Sequence, residues 1–525
     1  MYWVAGLFAA VLVAFSNRYG YHRDELYFLA AGRHPAWGYA DQPPLTPLVA
    51  RAMAAIDPES LPLLRAPAVL AATLVVVCAG LMAGEFGGGR AARGLAAAAV
   101  ASAALVQGAG HLLSTAVFDL AAWSVLGLLL LRLLRYPARP GPGAKSVTVA
   151  RYAGPVAVAD PAVVESADAL IVAESAVDGA AIDLRADPRW WLAIGLVAGL
   201  GLLNKSLLIF PAAALVVALL VGGPRKVLAT RYFPAAVGLA AVLWLPYLWW
   251  QARNGWPQWD VGRAIAGGSS GTSDSPIMFV LLQFGLMGPL LTPLWIYVLW
   301  RLWREPRYRA FPVAYGLLFV VFLLTGGKAY YLGGMYPILL AAGAAPLAAL
   351  LGRRRGRWAA ACAVVTVNAI GSAVLFLPVL PVSSLPGSPA LAVNYDAGET
   401  IGWPEIVRRI GSVRADLGRD VAVLTANYGE AGAIERFGAP YDLPTPHSGH
   451  NAYWWWGPPP DTATEVLTVG IERDELAELC AVVEPAGRID NGLGIDNDEQ
   501  GEPLFVCRGP RVPWHELWAR AKHLG

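Results

Sequence analysis

The sequence is poor in charge. Asp, Glu, Lys and Arg together make up 15% of its 525 residues, against about 25% in a typical soluble chain. That deficit excludes a cytosolic globular protein, which needs a solvated surface. It also excludes a disordered scaffold, which is polar where a core would be. The formal net charge is +2, so no basic excess recommends nucleic acid as a partner. Four cysteines are too few for a disulfide-dense secreted module. No CxxC pair or His/Cys cluster has zinc-ligand spacing.

What the chain has instead is apolar length. Hydrophobic residues reach 56%, with 20 Trp and 56 Gly. Apolar stretches recur at 1–16, 66–84, 91–110, 112–134, 190–204, 206–222, 232–251, 276–300, 310–326, 332–351 and 358–380. Most have the length a bilayer crossing requires, so we expect eleven transmembrane helices. The first lacks the basic lead and small-residue cleavage site of a signal peptide and reads as a retained helix. Lys and Arg collect in alternate connections: Arg90 and Arg93; Arg132, Arg135, Arg139 and Lys145; Arg225, Lys226 and Arg231; Arg301 to Arg309; Arg353 to Arg357. With eleven spans, all five groups fall on one side, which the positive-inside rule makes cytoplasmic. The expectation is a multi-pass protein of the cell membrane with a cytoplasmic N-terminus. The connections at 17–65 and 252–275, the turn around Lys328 and the C-terminal tail then lie outside.

Two segments break the pattern. Residues 136–188, rich in Ala, Val, Asp and Pro, read as a loosely ordered cytoplasmic insert. Residues 386–525 read as a small extracytoplasmic α/β domain following a membrane domain at 1–385. In it VAVLTANY, TEVLTV, LCAVVEPAG and PLFVCRG alternate with the amphipathic runs EIVRRIGSVRADLG and RDELAEL. Such alternation predicts a mostly parallel sheet with flanking helices. Cys480 and Cys507 sit on two of those strands and can pair in an oxidising compartment. Cys78 and Cys362 lie in apolar spans and read as fillers.

The chemistry-bearing residues concentrate in the first outer loop, YHRDELYFLAAGRHPAWGYADQPPLTP. Asp24 and Glu25 follow directly on the first span, and Asp41 precedes a Pro-Pro turn. Acids at the mouth of a membrane span are costly unless solvated, paired or functional. His22 and His34 flank them and with Asp41 offer donors to a divalent metal, but at no standard ligand spacing. No cofactor is therefore certain.

These residues carry a resemblance. The loop resembles the first extracytoplasmic loop of the GT-C membrane glycosyltransferases. It is closest to the branch of the protein O-mannosyltransferases and the aminoarabinose transferase of lipid A (family 39-like). Asp24-Glu25 matches the acidic pair of that branch, and Asp41-Gln42-Pro43-Pro44-Leu45 its acidic Pro-Pro turn. The aminoarabinose enzyme carries Glu-Lys where this chain has Asp41-Gln42. GGKAYYLGGMYPILL, with Lys328, Tyr330 and Tyr331, resembles a late-span motif of the family, and GLGLLNKSLLIFP, with Lys205, its lysine turn. NGWPQ, ANYGEAGAIERFG and SGHNAYWWWGPP resemble a bacterial subgroup with an outer C-terminal domain.

The resemblance implies transfer of one sugar from a polyprenyl-phosphate donor to an envelope glycan, lipid or protein, on the outer face of the bilayer. Asp24 is implied as the base. The chemistry agrees: phosphate is already a good leaving group, so inversion needs one carboxylate and positive charge at the phosphate. Lys328, Tyr330, Tyr331 and Lys205 are the phosphate candidates. The alternatives are snorkelling for Lys328 and an aromatic belt for the tyrosines. Asp119, near the outer end of a span, either borders the cavity or caps a polar helix contact. Ser448, His450 and Asn451, beside Trp454, Trp455 and Trp456, either contact sugar or anchor the outer domain at the interface. If Glu25 only supports the loop, its replacement by Gln should be mild. The competing reading is a transporter or flippase of a lipid-linked intermediate. It lacks internal repeats and midplane polar residues.

Overall fold

A computed structural model describes residues 1–135, 187–267, 275–418 and 421–525. The insert read at 136–188 lies outside the described residues except for Asp187 and Pro188. Every one of the eleven apolar stretches is helical, though not equally long. Leu61–Glu85, Thr115–Leu134, Tyr232–Arg253, Ala329–Leu351 and Arg355–Phe376 are long and apolar enough to cross a bilayer. Two more stretches are broken: Arg90–Ala101 meets Ala104–His111 at 63°, and Pro276–Leu286 meets Pro289–Arg304 at 80°. Tyr2–Phe15, Trp190–Leu202, Ser206–Val221 and Ala310–Leu324 are shorter apolar helices.

Both breaks free backbone carbonyls that an apolar surrounding cannot satisfy. One side chain serves both. The Asn368 amide, on the Arg355–Phe376 helix, donates to Ser102 O at 2.9 Å in the first break and to Met287 O at 3.0 Å in the second. The second break also needs the left-handed backbone of Gly288 (φ +88°), followed by Pro289.

The C-terminal region holds a five-stranded sheet: β1 (Ala422–Thr425), β2 (His447–Ser448), β3 (Glu465–Val469), β4 (Cys480–Arg488) and β5 (Pro503–Pro510), in the order β2-β1-β3-β5-β4. The expectation of a mostly parallel sheet is corrected. β1 pairs in parallel with β2 and β3, but β5 is antiparallel to both β3 and β4. No helix lies between β4 and β5, so the chain lacks the crossover a parallel pair requires and folds back instead. Cys480 and Cys507 fall on these two strands, Cα atoms 5.7 Å apart and sulfurs in contact, within the span a disulfide bridges.

The loop at 17–65 is not a loop throughout. It contains the helices Arg23–Arg33 and Leu45–Ile56, and the next span begins at Leu61 rather than 66. Ser60 caps that span, its hydroxyl accepting from the Leu63 N–H at 3.3 Å. The Arg23–Arg33 helix shares a core with the C-terminal region. Leu26, Tyr27 and Ala30 pack with Trp403, Ile406, Ala431, Ile434 and Leu467. Close approach is made possible by two glycines of the Tyr428–Phe437 helix. A Cβ on Gly429 would stand 2.9 Å from Arg23 Cβ, and one on Gly432 would stand 2.9 Å from Leu26 Cβ.

Candidate active site

The site begins at a helix start. His22 is the N-cap of Arg23–Arg33: its Nδ1 accepts from the Asp24 N–H at 3.1 Å, and Glu25 reaches back to accept from the His22 N–H at 2.9 Å. This reciprocal cap turns the adjacent acids in different directions.

Glu25 goes inward. Its oxygens meet Arg65 Nε at 2.9 Å and Nη2 at 2.8 Å, and Oε1 also accepts from the Leu113 N–H at 2.9 Å. Both side chains are 0% exposed. Arg65 further donates to Ser16 O at 3.0 Å and Gly20 O at 2.6 Å. Glu25 therefore ties the end of the first helix, the loop and the Leu61–Glu85 helix together. This corrects its reading as a catalytic acid: a carboxylate with four donors and no exposure has no lone pair to offer a substrate.

Asp24 faces the other way. Its Oδ1 accepts from the Tyr428 hydroxyl of the C-terminal region at 2.9 Å. Burial works to raise its pKa, but His22, Arg23, the Tyr428 hydroxyl and Lys328 outweigh burial and hold the carboxyl below its ordinary value. Asp41 has a matching partner: the Tyr27 hydroxyl donates to its Oδ1 at 2.6 Å and accepts from the Ala452 N–H at 3.2 Å. Burial pushes Asp41 up to about 6; Tyr27 draws it back, and the charge of Asp24 adds to the rise. The two tyrosines stack, centroids 4.6 Å apart. Each acid is thus held by one member of an aromatic pair, with one ring from the loop and one from the C-terminal region.

The Asp41 turn is clamped from behind. Gln258 Nε2 donates to Asp41 O at 3.1 Å, and its Oε1 accepts from the Tyr247 hydroxyl at 2.7 Å. Gln251 donates to Tyr39 O at 3.0 Å and accepts from the Gln258 N–H at 3.1 Å. Gln42 differs from both. It is 4% exposed, and neither amide atom has a hydrogen-bond partner among the described residues.

The basic candidates lie nearby. Lys205 Nζ sits 4.7 Å from the Tyr330 ring centroid and 5.1 Å from that of Tyr331, a cation–π arrangement on two faces. Asp119 interacts electrostatically with Lys205. Lys328 and Tyr330 interact in the same way with Asp24. The structure therefore brings together Asp24, Asp41, Asp119, Lys205, Lys328, Tyr330 and Tyr331 from four separate chain segments.

Ser448, His450 and Asn451 do not join them as sugar contacts, which corrects that reading. Ser448 is 0% exposed and Asn451 3% exposed. Asn451 Oδ1 accepts from the Gly525 N–H at 3.3 Å, and His450 Nε2 lies 2.9 Å from Gly525 O. The His450 ring instead packs between Tyr428, at 4.9 Å, and His523, at 4.7 Å. Burial holds it down to about 3, so it is neutral. Trp455 donates to Asn254 Oδ1 at 3.1 Å, and Trp456 stacks on His34 at 4.4 Å. Of the candidate metal donors, His22 has its Nδ1 taken by the Asp24 N–H. Among the described residues no group of three or more His, Cys, Asp or Glu is arranged to hold a metal ion.

Tyr27 and Tyr428 were not legible as site residues. The only signal for Tyr428 was ANYGE, an Asn-x-x-Glu capping box: Asn427 Oδ1 accepts from the Glu430 N–H at 3.0 Å. Such a box marks a helix start but not what the helix faces.

No family model and no curated protein matches this sequence. Solved structures do match its fold. ArnT from Cupriavidus metallidurans bound to undecaprenyl phosphate is 14% identical, with 95% of this chain and 97% of that chain covered at a TM-score of 0.54. The same protein in the apo state gives 14%, 95%, 97% and 0.53. The oligosaccharyltransferase AglB from Archaeoglobus fulgidus, in complex with an inhibitory peptide and a dolichol-phosphate, is 11% identical, with 89% and 69% covered at 0.51. At such identities the likeness is one of fold alone.

Proposed function

We propose that this protein is a membrane glycosyltransferase that moves one sugar from a polyprenyl-phosphate donor to an acceptor hydroxyl on the outer face of the cell membrane. The observation that carries the reading is Asp24, a carboxylate kept charged by its neighbours and facing Lys328 in a chain of GT-C fold. Undecaprenyl phosphate and dolichol-phosphate accompany the two solved relatives in fold, which supports a lipid-phosphate donor here.

The acceptor oxygen attacks the anomeric carbon as the bond from that carbon to the phosphate oxygen breaks. The bonding pair leaves with the phosphate, and the acceptor proton passes to Asp24. Displacement from the opposite face inverts the anomeric centre. Lys328 and Lys205 offset the charge that grows on the departing phosphate, and Tyr330 and Tyr331 orient Lys205. Asp41, next to Asp24 and close to neutral in pKa, shapes the sugar or acceptor side. In this reading all eleven apolar stretches cross the membrane, the N-terminus is cytoplasmic, and the outer domain with the first loop faces outward. The alternation of the five basic connections supports that arrangement.

The test is turnover of a polyprenyl-phosphate sugar by the protein in nanodiscs. Asp24→Asn keeps the shape but cannot take the proton, so turnover should fall by about 10²–10⁴-fold in protein that still folds. Near-normal turnover removes Asp24 from the base role.

A further inference from the structure

The outer domain contributes a side chain to the site, and its geometry is specific. Tyr428 opens the Tyr428–Phe437 helix, whose glycines press it against the Arg23–Arg33 helix. Its ring is held on both sides, by Tyr27 at 4.6 Å and His450 at 4.9 Å. A ring so confined has its hydroxyl oriented in advance, and that hydroxyl donates to Asp24 Oδ1 at 2.9 Å.

We propose that Tyr428 is the positioning residue of the base: it orients the Asp24 carboxylate and keeps it charged, so that the catalytic centre is complete only when the outer domain is docked. This rests on the reading of Asp24 as the base and deepens it. A hydrogen bond to the charged form of an acid favours that form. The other groups facing Asp24 are accounted for. His22 and Arg23 adjoin it on its own segment, Lys328 and Tyr330 approach from the segment after the Ala310–Leu324 helix, and Asp41 approaches through the first loop. Of these, Asp41 and Tyr330 supply no positive charge. Arg23 is shared with Glu399 and Asp498. Among the described residues neither the His22 ring nor Lys328 makes a hydrogen bond to the carboxylate, so orientation falls to Tyr428.

Tyr428→Phe removes the hydroxyl and leaves the stacked ring. The acid limb of the turnover profile should move up by about one pH unit, with the donor KM unchanged. The same shift should appear without turnover. The hydrophobic reagent dicyclohexylcarbodiimide modifies protonated buried carboxyls, and mass spectrometry of Asp24 modification against pH gives its midpoint. In the wild type that midpoint should lie below the ordinary value, about 3.9 for aspartate; in Tyr428→Phe it should rise by about one unit. An unmoved midpoint in the variant overturns the proposal. So does a wild-type midpoint at or above the ordinary value, which needs no folded variant. A shifted midpoint in a protein that transfers no sugar upholds the tyrosine–aspartate couple and overturns the glycosyltransferase reading instead.

Discussion

Asp24 and Glu25 of the first loop and three buried glutamates of the C-terminal region are treated in opposite ways. In the loop, Glu25 is matched by Arg65 and two further donors, the His22 and Leu113 N–H groups, and Asp24 by a hydroxyl and nearby cations. In the C-terminal region, Glu399, Glu430 and Glu499 are each at most 1% exposed. Arg23 approaches Glu399 at 3.6 Å, yet Glu399 Oε2, Glu430 Oε1 and Glu499 Oε2 have no hydrogen-bond partner among the described residues. Burial raises all three pKa values. Donors and cations favour the charged form of a buried carboxyl, whereas burial with fewer partners moves it toward the neutral form. The two regions touch at Arg23, the cation shared between Asp24 and the C-terminal glutamate cluster.

The largest effect should come from breaking the compensated side. Glu25→Gln strands a fully buried Arg65, and loss of one partner of a buried pair costs about 3–5 kcal/mol. The mild outcome expected from sequence is therefore replaced by a large fall in melting temperature in detergent; a shift of a degree or two would mean the knot is dispensable. Next comes the C-terminal region's own tie. Cys480→Ser opens a crosslink spanning 27 residues, and the chain-entropy estimate puts the loss at about 2–4 kcal/mol. Two free thiols in the non-reduced wild type would contradict it.

The third prediction uses pH to separate the regions. Glu430 is pushed up to about 8, first by burial and then by Glu502 and Asp498. Its folded pKa lies above the unfolded one, so the unfolded chain gives up the proton first as pH rises, and stability falls up to about pH 8. One such group changes stability by at most about 3 kcal/mol between pH 6 and 8. Glu430→Gln should flatten that fall. Asp24 has the opposite sign: its folded pKa is depressed, so its contribution is present above the ordinary carboxylate value and lost as pH falls through the folded one. A melting temperature with the same pH slope in wild type and Glu430→Gln would erase the contrast. The smallest effect concerns Gln42. Replacing an unpartnered buried amide by an apolar group of similar size, Gln42→Met, should stabilise by about 1 kcal/mol; a lower melting temperature would show that the amide is satisfied in solution.

Local pattern determined much of this molecule. Apolar runs of Leu, Val and Ala become helices wherever they occur, because backbone groups in an apolar setting must bond within their own segment. Arg473–Leu479 falls where RDELAEL reads as a helix, and the four strand motifs each contain a strand. Adjacent acids beside a span drew attention to the segment that packs against Tyr428 and Arg65. Tertiary structure decided the rest, since it depends on partners far along the chain. Asp24 and Glu25 are neighbours in sequence, and only the positions of Tyr428 and Arg65 make one available and the other structural. The direction of β5 followed from a missing crossover, and the breaks at Ser102 and Gly288 from a shared Asn368. Tyr428 lies 404 residues from the acid it holds. No local periodicity encodes a contact of that separation; it arises when two glycines let one helix settle against another.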